Sequence, residues 1–461
     1  MRWRSRLAIA CAKLTSLLIR WLHRGNGVTL PGYVARRIDP EILSVLSGLV
    51  GEKILAVMGT NGKTTTNRIL FEALRAEGKE VLINSTGANM LNGVISAFVL
   101  AVEKGRLKAD YACVEVDENA SVEILPMLKP DCVLLTNISR DQLDRFGELD
   151  MTYEKIKFAV QSVPGARLVV NGDDAFLGFL LKECENPQEV YGMEEEIFDA
   201  AARSEVLENT FCRFCGARLT YSLIHYGQLG LYRCPGCGFE RPWPDYKAKN
   251  IVEQQGSYSF TVEEKFVKIR TLCPYHVYNT LAAYGTLHAV GAPREHFGKT
   301  MEQFDFGNNR ESTFFIGGAR VQLHLAKNPM GFQQKLSLMC SDSRPKDILI
   351  LINDTAQDGR DISWLWDVDF QHLKDAHAAQ ILTGGARRYD MGLRLKYEGI
   401  SSKAAVDVGE ALRRLTTKGT GNVYVVVNYS GLYFTNHILQ DLAREEKGGG
   451  YYEADHRTSV S

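Results

Sequence analysis

A chain of 461 residues is long enough for about three domains, each with its own core. Its 54 basic residues are balanced by 55 acidic ones, so no global field marks it as a nucleic-acid binder. Ten cysteines are too sparse for a disulfide scaffold, and four of them form two C-x-x-C pairs, the pattern of metal binding in a reducing compartment, which points to the cytosol.

Residues 1–40 stand apart from the rest. Met1 to Leu22 mixes Arg2, Arg4, Arg6, Lys13 and Arg20 with Leu7, Ile9, Leu14, Leu17, Leu18, Ile19, Trp21 and Leu22. The longest apolar run falls far short of the ~20 residues that a membrane span needs, and no small-residue cleavage site of a secretory signal is evident. The pattern is a basic amphipathic helix with two readings. Either it lies on an anionic membrane surface, or it packs on the next domain with its arginines in water. Pro31 and Pro40 mark the passage into the main domain.

The rest of the chain is organised around Ile54-Leu-Ala-Val-Met-Gly-Thr-Asn-Gly-Lys-Thr-Thr-Thr66. An apolar strand breaks at a turn and continues into helical sequence (Ile69, Leu70, Leu74), which is how a chain builds a phosphate cradle. Gly59 and Gly62 allow the tight turn, Thr60, Asn61 and Thr65 complete the loop, and the helix opening at Thr64 adds the positive end of its dipole. Lys63 reaches the β- and γ-phosphates of ATP and the Thr64 hydroxyl ligates Mg²⁺. Val57 stands where the full Walker pattern has its first Gly.

Further apolar runs at Val81 to Asn84, Tyr111 to Val116, Cys132 to Thr136 and Leu168 to Asn171 alternate with helical patterns. That alternation predicts an α/β fold with a doubly wound parallel sheet, whose ligands bind beyond the carboxyl ends of the strands. Glu115, Asp117 and Glu118 fall at one such end, and one or two of them suffice to hold Mg²⁺. Ser139-Arg-Asp-Gln-Leu-Asp144 is a second polar cluster at a strand end.

Cys212-Arg-Phe-Cys215 and Cys234-Pro-Gly-Cys237 are separated by eighteen residues. Two such knuckles complete the tetrahedron that Zn²⁺ prefers, with Gly216 and Gly238 suited to the turns; redox disulfides are the alternative. Four thiolates leave zinc no open position, so the predicted ribbon, spanning 205–245, is structural. Tyr221, Tyr226, Tyr232 and Arg233 beside it suit small-module packing as well as nucleic-acid contact.

In combination, Gly59-Thr-Asn-Gly-Lys-Thr-Thr65, the strand end at Glu115, Thr136-Asn-Ile138 with Asp141, Leu143 and Asp144, and Asn171-Gly-Asp-Asp174 resemble the central ATPase domain of the Mur ligases, shared with folylpolyglutamate synthases. The resemblance extends to Tyr275-His-Val-Tyr-Asn-Thr-Leu-Ala-Ala283, Arg310-Glu311 and Lys327-Asn-Pro329, covering residues 50 to 330. It implies Asn279 at the adenine, Arg310 near the nucleotide phosphates, and ATP-dependent acyl-phosphate formation followed by amine attack. Gln142 replaces a family His that helps bind a second Mg²⁺, and Lys157 aligns with a lysine that many of these ligases carbamylate.

Ordinary Mur ligases lack the ribbon. A ligase-like core over 41–312 with a four-Cys insertion, followed by a distinct α/β domain over 313–446 and a glycine-rich tail over 447–461 expected to be disordered, resembles the MurT family of synthetase subunits. The C-terminal part of that resemblance rests on Asn353-Asp-Thr-Ala-Gln-Asp-Gly-Arg-Asp-Ile-Ser-Trp-Leu-Trp-Asp367. It implies a heterodimer with a GatD-type glutaminase that supplies ammonia, amidation of the D-glutamate α-carboxylate of lipid II, and an aspartate, Asp358 or Asp361, that completes the partner's glutaminase site. Lys63 and Glu115 are then the catalytic residues on this chain. The rivals are a ligase that adds an amino acid, and a nucleotide-regulated protein whose ribbon grips nucleic acid with salt-dependent affinity.

Overall fold

The computed structural model of the chain describes residues 2–21, 28–84, 88–140, 149–196, 210–254, 256–271, 273–306, 311–355 and 358–446. They divide into two compact units, one ending at Phe306 and the other following it.

Three helices open the first unit: α1 (Trp3–Trp21), α2 (Leu30–Ile38) and α3 (Ile42–Ser47). Pro31 sits in the first turn of α2, where a missing amide costs nothing. The small residues Ser5, Ala8 and Ala12 form the buried face of α1, which packs on α2, and Ser5 Oγ donates to Asp39 Oδ2 at 2.7 Å.

The alternation read from the sequence follows: β1 (Lys53–Met58), α4 (Lys63–Ala76), β2 (Val81–Ile83), α5 (Leu91–Leu100), a hairpin of β3 (Val102–Glu103) and β4 (Arg106–Leu107), β5 (Tyr111–Glu115), α6 (Ser121–Leu128), β6 (Cys132–Leu135), α7 (Leu149–Gln161), β7 (Arg167–Asn171), α8 (Ala175–Glu183) and β8 (Gln188–Met193). A second hairpin, β9 (Thr220–Tyr226) and β10 (Leu229–Arg233), precedes β11 (Tyr246–Gln254), β12 (Ser257–Val262), β13 (Lys265–Arg270), α9 (Tyr275–Ala289) and α10 (Phe297–Gln303). The main sheet has nine strands in the order β13-β12-β11-β8-β7-β6-β1-β5-β2. Pairing is parallel from β2 to β11, as buried, continuously apolar strands require, whereas β12 and β13 add an antiparallel edge that the sequence reading did not include. Val57 pairs with both Glu115 and Leu134, so β1, β5 and β6 end together. That alignment gathers the polar strand ends around the loop after β1.

The second unit contains β14 (Glu311–Ile316), β15 (Ala319–Leu325), α11 (Pro329–Ser341), β16 (Lys346–Leu351), 3-10 turns at Ser363–Asp367 and Phe370–Lys374, β17 (Ala378–Gly384), α12 (Arg388–Tyr397), β18 (Lys403–Ala404), α13 (Val408–Lys418), β19 (Asn422–Val427) and α14 (Tyr429–Glu446). Its sheet runs β14-β15-β19-β16-β17-β18, parallel except for the β14–β15 pair. Asn328 caps α11 by accepting Gly331 N at 2.8 Å, which accounts for the Lys-Asn-Pro turn. The segment Tyr429 to Tyr433 is the first turn of α14; buried Leu439 and Leu442, with Leu432 and Ile438 packed beside them, draw it into a helix against the sheet. Among the described residues no helix is long and apolar enough to cross a membrane. The tail over 447–461 lies outside the described residues.

Candidate active site

The chain turns sharply after β1. Gly59 and Gly62 take φ of +117° and +85°, and Gly62 also has no room for a side chain, since a Cβ there would lie 2.4 Å from Asn279 Oδ1 on α9. The adenine-contact candidate therefore packs directly on the phosphate-loop candidate. The strand end after β6 holds the loop from the other side. Thr60 N donates to Asn137 O at 2.8 Å, Asn61 N to Asn137 Oδ1 at 3.0 Å, and the Thr136 hydroxyl to Asn61 O at 2.8 Å. Lys63, Thr64 and Thr65 form the opening turn of α4, where the helix dipole favours an anion.

The residues read as Mg²⁺ ligands come together. Thr64 Oγ1 donates to Glu115 Oε2 at 2.8 Å. Two oxygens that share an octahedral Mg²⁺ at ~2.05 Å sit about 2.9 Å apart, so the pair fits that ion. Glu115 is aimed by asparagines that the sequence reading missed: Asn89 Nδ2 donates to its Oε1 at 3.0 Å, while Asn84 exchanges hydrogen bonds with its backbone, accepting from N at 2.8 Å and donating to O at 2.7 Å. Both follow β2, and the signal available was that they flank a polar run at a strand end.

Lys63 is buried. Its ammonium donates to Gly59 O at 2.5 Å, Thr60 O at 3.3 Å and Glu118 Oε1 at 2.7 Å. Burial opposes its charge, but the carboxylates of Glu118, Glu115 and Asp117 outweigh that and raise its pKa, so it is a cation. Burial pushes Glu118 up, and the Lys63 charge partly offsets the rise. Of the three carboxylates after β5, Glu118 is thus the lysine's partner and Glu115 the neighbour of Thr64.

Asn171-Gly-Asp-Asp174 serves as an anchor. Asp174 caps α8 by accepting Phe176 N at 2.9 Å and also accepts Ile138 N at 2.8 Å; its burial drives the carboxyl up to about 7. Asp173 accepts Arg241 Nε at 2.5 Å, Met193 N at 2.9 Å and the Tyr278 hydroxyl at 2.5 Å. This one buried carboxylate ties the segment just beyond the second knuckle to α9, one residue before Asn279.

The four ribbon cysteines meet. Their Sγ atoms all lie within 4.8 Å of one another, with Cys212–Cys237 at 3.6 Å and Cys215–Cys234 at 3.4 Å. A tetrahedral zinc with ~2.3 Å bonds sets its sulfurs about 3.8 Å apart, so the donor set and spacing suit that ion. Gly216 N and Gly238 N close the two knuckles onto Cys212 O and Cys234 O. The module packs on α8, with Phe239 stacked on Phe179 at 4.4 Å and Phe214 edge-on to both, and Tyr232 is buried; Tyr221 is half-buried.

Lys157 on α7 is ion-paired with Glu154 at 2.7 Å and Glu183 at 3.0 Å. The hydrogen bond to Glu154 raises its pKa, a setting for an ammonium rather than for the neutral amine that carbamylation consumes. Gln142, Asp141, Asp144 and Arg310 lie outside the described residues. In the second unit Asp358 is buried, with one oxygen accepting Ser430 N at 2.8 Å and the other the Thr355 hydroxyl at 2.6 Å. Asp361 is half-buried and accepts Ser363 N at 2.8 Å through Oδ1. Burial pushes the Cys184 thiol up to about 11, and those of Cys113 and Cys132 higher still, so none of these three is a ready nucleophile at neutral pH.

The Mur ligase middle domain family matches residues 57–232 and the MurT ligase C-terminal family matches residues 325–432. The lipid II isoglutaminyl synthase (glutamine-hydrolyzing) subunit MurT of Streptococcus pneumoniae is 31% identical, over 92% of this chain and 95% of its own. The subunit of the same name from Staphylococcus aureus is 32% identical, over 96% of this chain and 98% of its own. Among solved structures, a pseudomurein peptide ligase type C from Methanothermus fervidus superposes with a TM-score of 0.67 at 21% identity, covering 86% of this chain and 80% of that one. MurF from Acinetobacter baumannii gives 0.64 at 16% identity, covering 89% and 80%. These two likenesses concern the fold.

Proposed function

Because this chain belongs to the MurT family of Mur ligase-type enzymes, we propose that it amidates lipid II in peptidoglycan synthesis, acting as the ATP-dependent synthetase of a two-subunit enzyme. The observation that carries the chemistry is the cluster of Lys63, Thr64 and Glu115 at the carboxyl ends of β1 and β5.

The acceptor is the α-carboxylate of the stem-peptide D-glutamate, converted to D-isoglutamine. One carboxylate oxygen attacks the γ-phosphorus of ATP, the bond to the β-phosphate oxygen breaks, and ADP leaves. Lys63 neutralises charge on the transferring phosphoryl group, and the first turn of α4 adds its dipole. Mg²⁺, held by Thr64 and Glu115, offsets charge on the β- and γ-phosphates when bound. Ammonia then attacks the acyl carbon, loses a proton, and phosphate departs with the C–O bond electrons. Asn279 and Arg310 position the nucleotide, together with Gly59, Thr60, Asn61, Gly62 and Thr65. Zinc in the Cys212, Cys215, Cys234, Cys237 site holds the insertion together and takes no part in the reaction.

Ammonia comes from a GatD-type glutaminase. An aspartate after β16 completes that partner's site; Asp361 suits the role better than Asp358, because both oxygens of Asp358 are already committed within the chain. The enzyme works at the membrane face where its lipid-linked substrate resides.

Mass spectrometry of lipid II incubated with this chain, ATP, Mg²⁺ and ammonium tests the reading. Replacement of one carboxyl OH by NH₂ supports it, and dependence on the glutaminase when glutamine is the sole nitrogen source supports the division of labour. Incorporation of an amino acid instead moves the assignment to an ordinary ligase.

A further inference from the structure

Helix α1 carries two apolar faces. The inner one, Ser5, Ala8, Ile9 and Ala12, is buried against the first unit. At 100° per residue, Trp3, Leu7, Leu14, Leu17, Leu18 and Trp21 fall within an arc of about 100° on the opposite side. All six are exposed, Trp3 and Trp21 by 76% and 77%. The helix is held in this orientation: Lys13 Nζ donates to Val102 O, Arg4 Nε to Ile38 O at 2.5 Å, and Ser5 to Asp39. The outward apolar stripe therefore contributes nothing to the packing of α1, and leaving it in water is unfavourable by the area it exposes.

Charge identifies what covers it. The first 38 residues contain eight Lys or Arg and no Asp or Glu, in a chain whose 54 basic and 55 acidic residues balance only with this segment included. Arg6 and Arg20 are exposed along one edge of the stripe, and Arg4 along the other. A stripe of leucines bounded by arginines, with a tryptophan at each end, matches the layering of an anionic lipid surface: acyl chains in the middle, carbonyls at the level of the indoles, phosphates at the flanks.

We infer that α1 lies flat in the interface of an anionic bilayer, inserting Trp3, Leu7, Leu14, Leu17, Leu18 and Trp21 while its inner face stays docked on the protein. The two sequence readings of this segment are then both true, one for each face. The inference deepens the lipid II reading, because a fixed helix in the interface holds the enzyme where its substrate is anchored, but it rests on the geometry of α1 alone.

The test is co-sedimentation of the full chain with vesicles of phosphatidylglycerol and phosphatidylcholine in equal parts, or of phosphatidylcholine alone, with no lipid II in either. Wild type partitions about tenfold more strongly into the anionic vesicles. The combined variant Leu7→Gln, Leu14→Gln, Leu18→Gln falls to background, with Tm and ATP binding unchanged. Arg6→Glu with Arg20→Glu loses the anionic preference. The inference is overturned if wild type stays in the supernatant, or if the leucine variant binds as wild type does. It is equally overturned if the stripe proves to be a self-association surface, seen as a dimer without vesicles that the leucine variant dissociates. Since the vesicles lack lipid II, a failure to amidate leaves this outcome untouched, and the reverse holds.

Discussion

The Lys63 ammonium lies 2.7 Å from Glu118 Oε1, and both side chains are buried. A phosphate arriving at the loop competes with this carboxylate for the lysine. Glu118→Gln is therefore expected to tighten ATP binding several-fold in isothermal titration. Lys63→Ala is expected to slow amidation by about 100-fold or more, roughly the 3 kcal/mol that one well-placed charged donor contributes to a transition state. Weaker ATP binding by Glu118→Gln would mean that Glu118 supports the bound nucleotide and does not compete with it.

Gly62→Ala asks an alanine to adopt φ +85° with its methyl 2.4 Å from Asn279 Oδ1. Strain of about 1–3 kcal/mol is expected at this backbone position, and relief requires Asn279 to move. ATP affinity should fall at least as far as in Asn279→Ala. A Gly62→Ala protein with normal affinity would show that the loop and α9 part when the nucleotide binds.

Zinc removal should be felt away from the cysteines. Arg241, just beyond the second knuckle, shares Asp173 with Tyr278 of α9. Cys234→Ser, or chelation, is expected to lower the Tm and to weaken ATP binding, although no ribbon residue is among those assigned to the nucleotide. Metal analysis should find one zinc per wild-type chain. Unchanged ATP affinity in metal-free protein of lowered Tm would break the proposed link through Asp173.

Asp174 gives a pH dependence with a definite sign. Its buried carboxyl is raised to about 7, so the folded protein holds this proton more tightly than the unfolded chain does. The stability so contributed is present below the unfolded value near ~4 and is lost as the pH climbs through about 7. Asp174→Asn cannot titrate. The Tm gap between wild type and this variant should narrow from about pH 5 to about pH 8 in thermal melts, and a gap that widens over that range contradicts the assignment.

The two aspartates after β16 separate by nitrogen source. Asp361→Asn is expected to abolish glutamine-dependent amidation while leaving the ammonium-dependent reaction intact. Asp358→Asn loses an acceptor for Ser430 N or the Thr355 hydroxyl, and should cost about 1–3 kcal/mol in a denaturant titration. The reverse pattern would assign the partner's aspartate to Asp358.

Local signals in the chain foretold five of the nine strands of the main sheet. The runs beginning at Ile54, Tyr111, Cys132 and Leu168 became parallel strands because each is apolar on both faces and ends in a polar turn. The four cysteines were legible because their spacing alone encodes two knuckles. Asn84 and Asn89 were not, since their role is to orient Glu115 and exists only once β2 lies beside β5. The partnership of Lys63 with Glu118 was hidden among three equivalent carboxylates. The antiparallel edge of β12 and β13 was missed because continuously apolar runs served as the strand signal, whereas Ser257 to Val262 alternates polar and apolar residues and Lys265 to Arg270 is broken by Lys265, Lys268 and Arg270.

The contact between Gly62 and Asn279 also fixes an order of events during synthesis. The ribbon cysteines lie between these two residues in the chain, so a ribosome has translated all four before it reaches α9. A nascent chain paused at that point has β1, its loop and both knuckles, but lacks the helix that closes the loop. Metal capture can therefore begin on the ribosome, whereas a complete nucleotide pocket has to wait for α9 to emerge, so a cell short of zinc would meet the defect first in newly made chains.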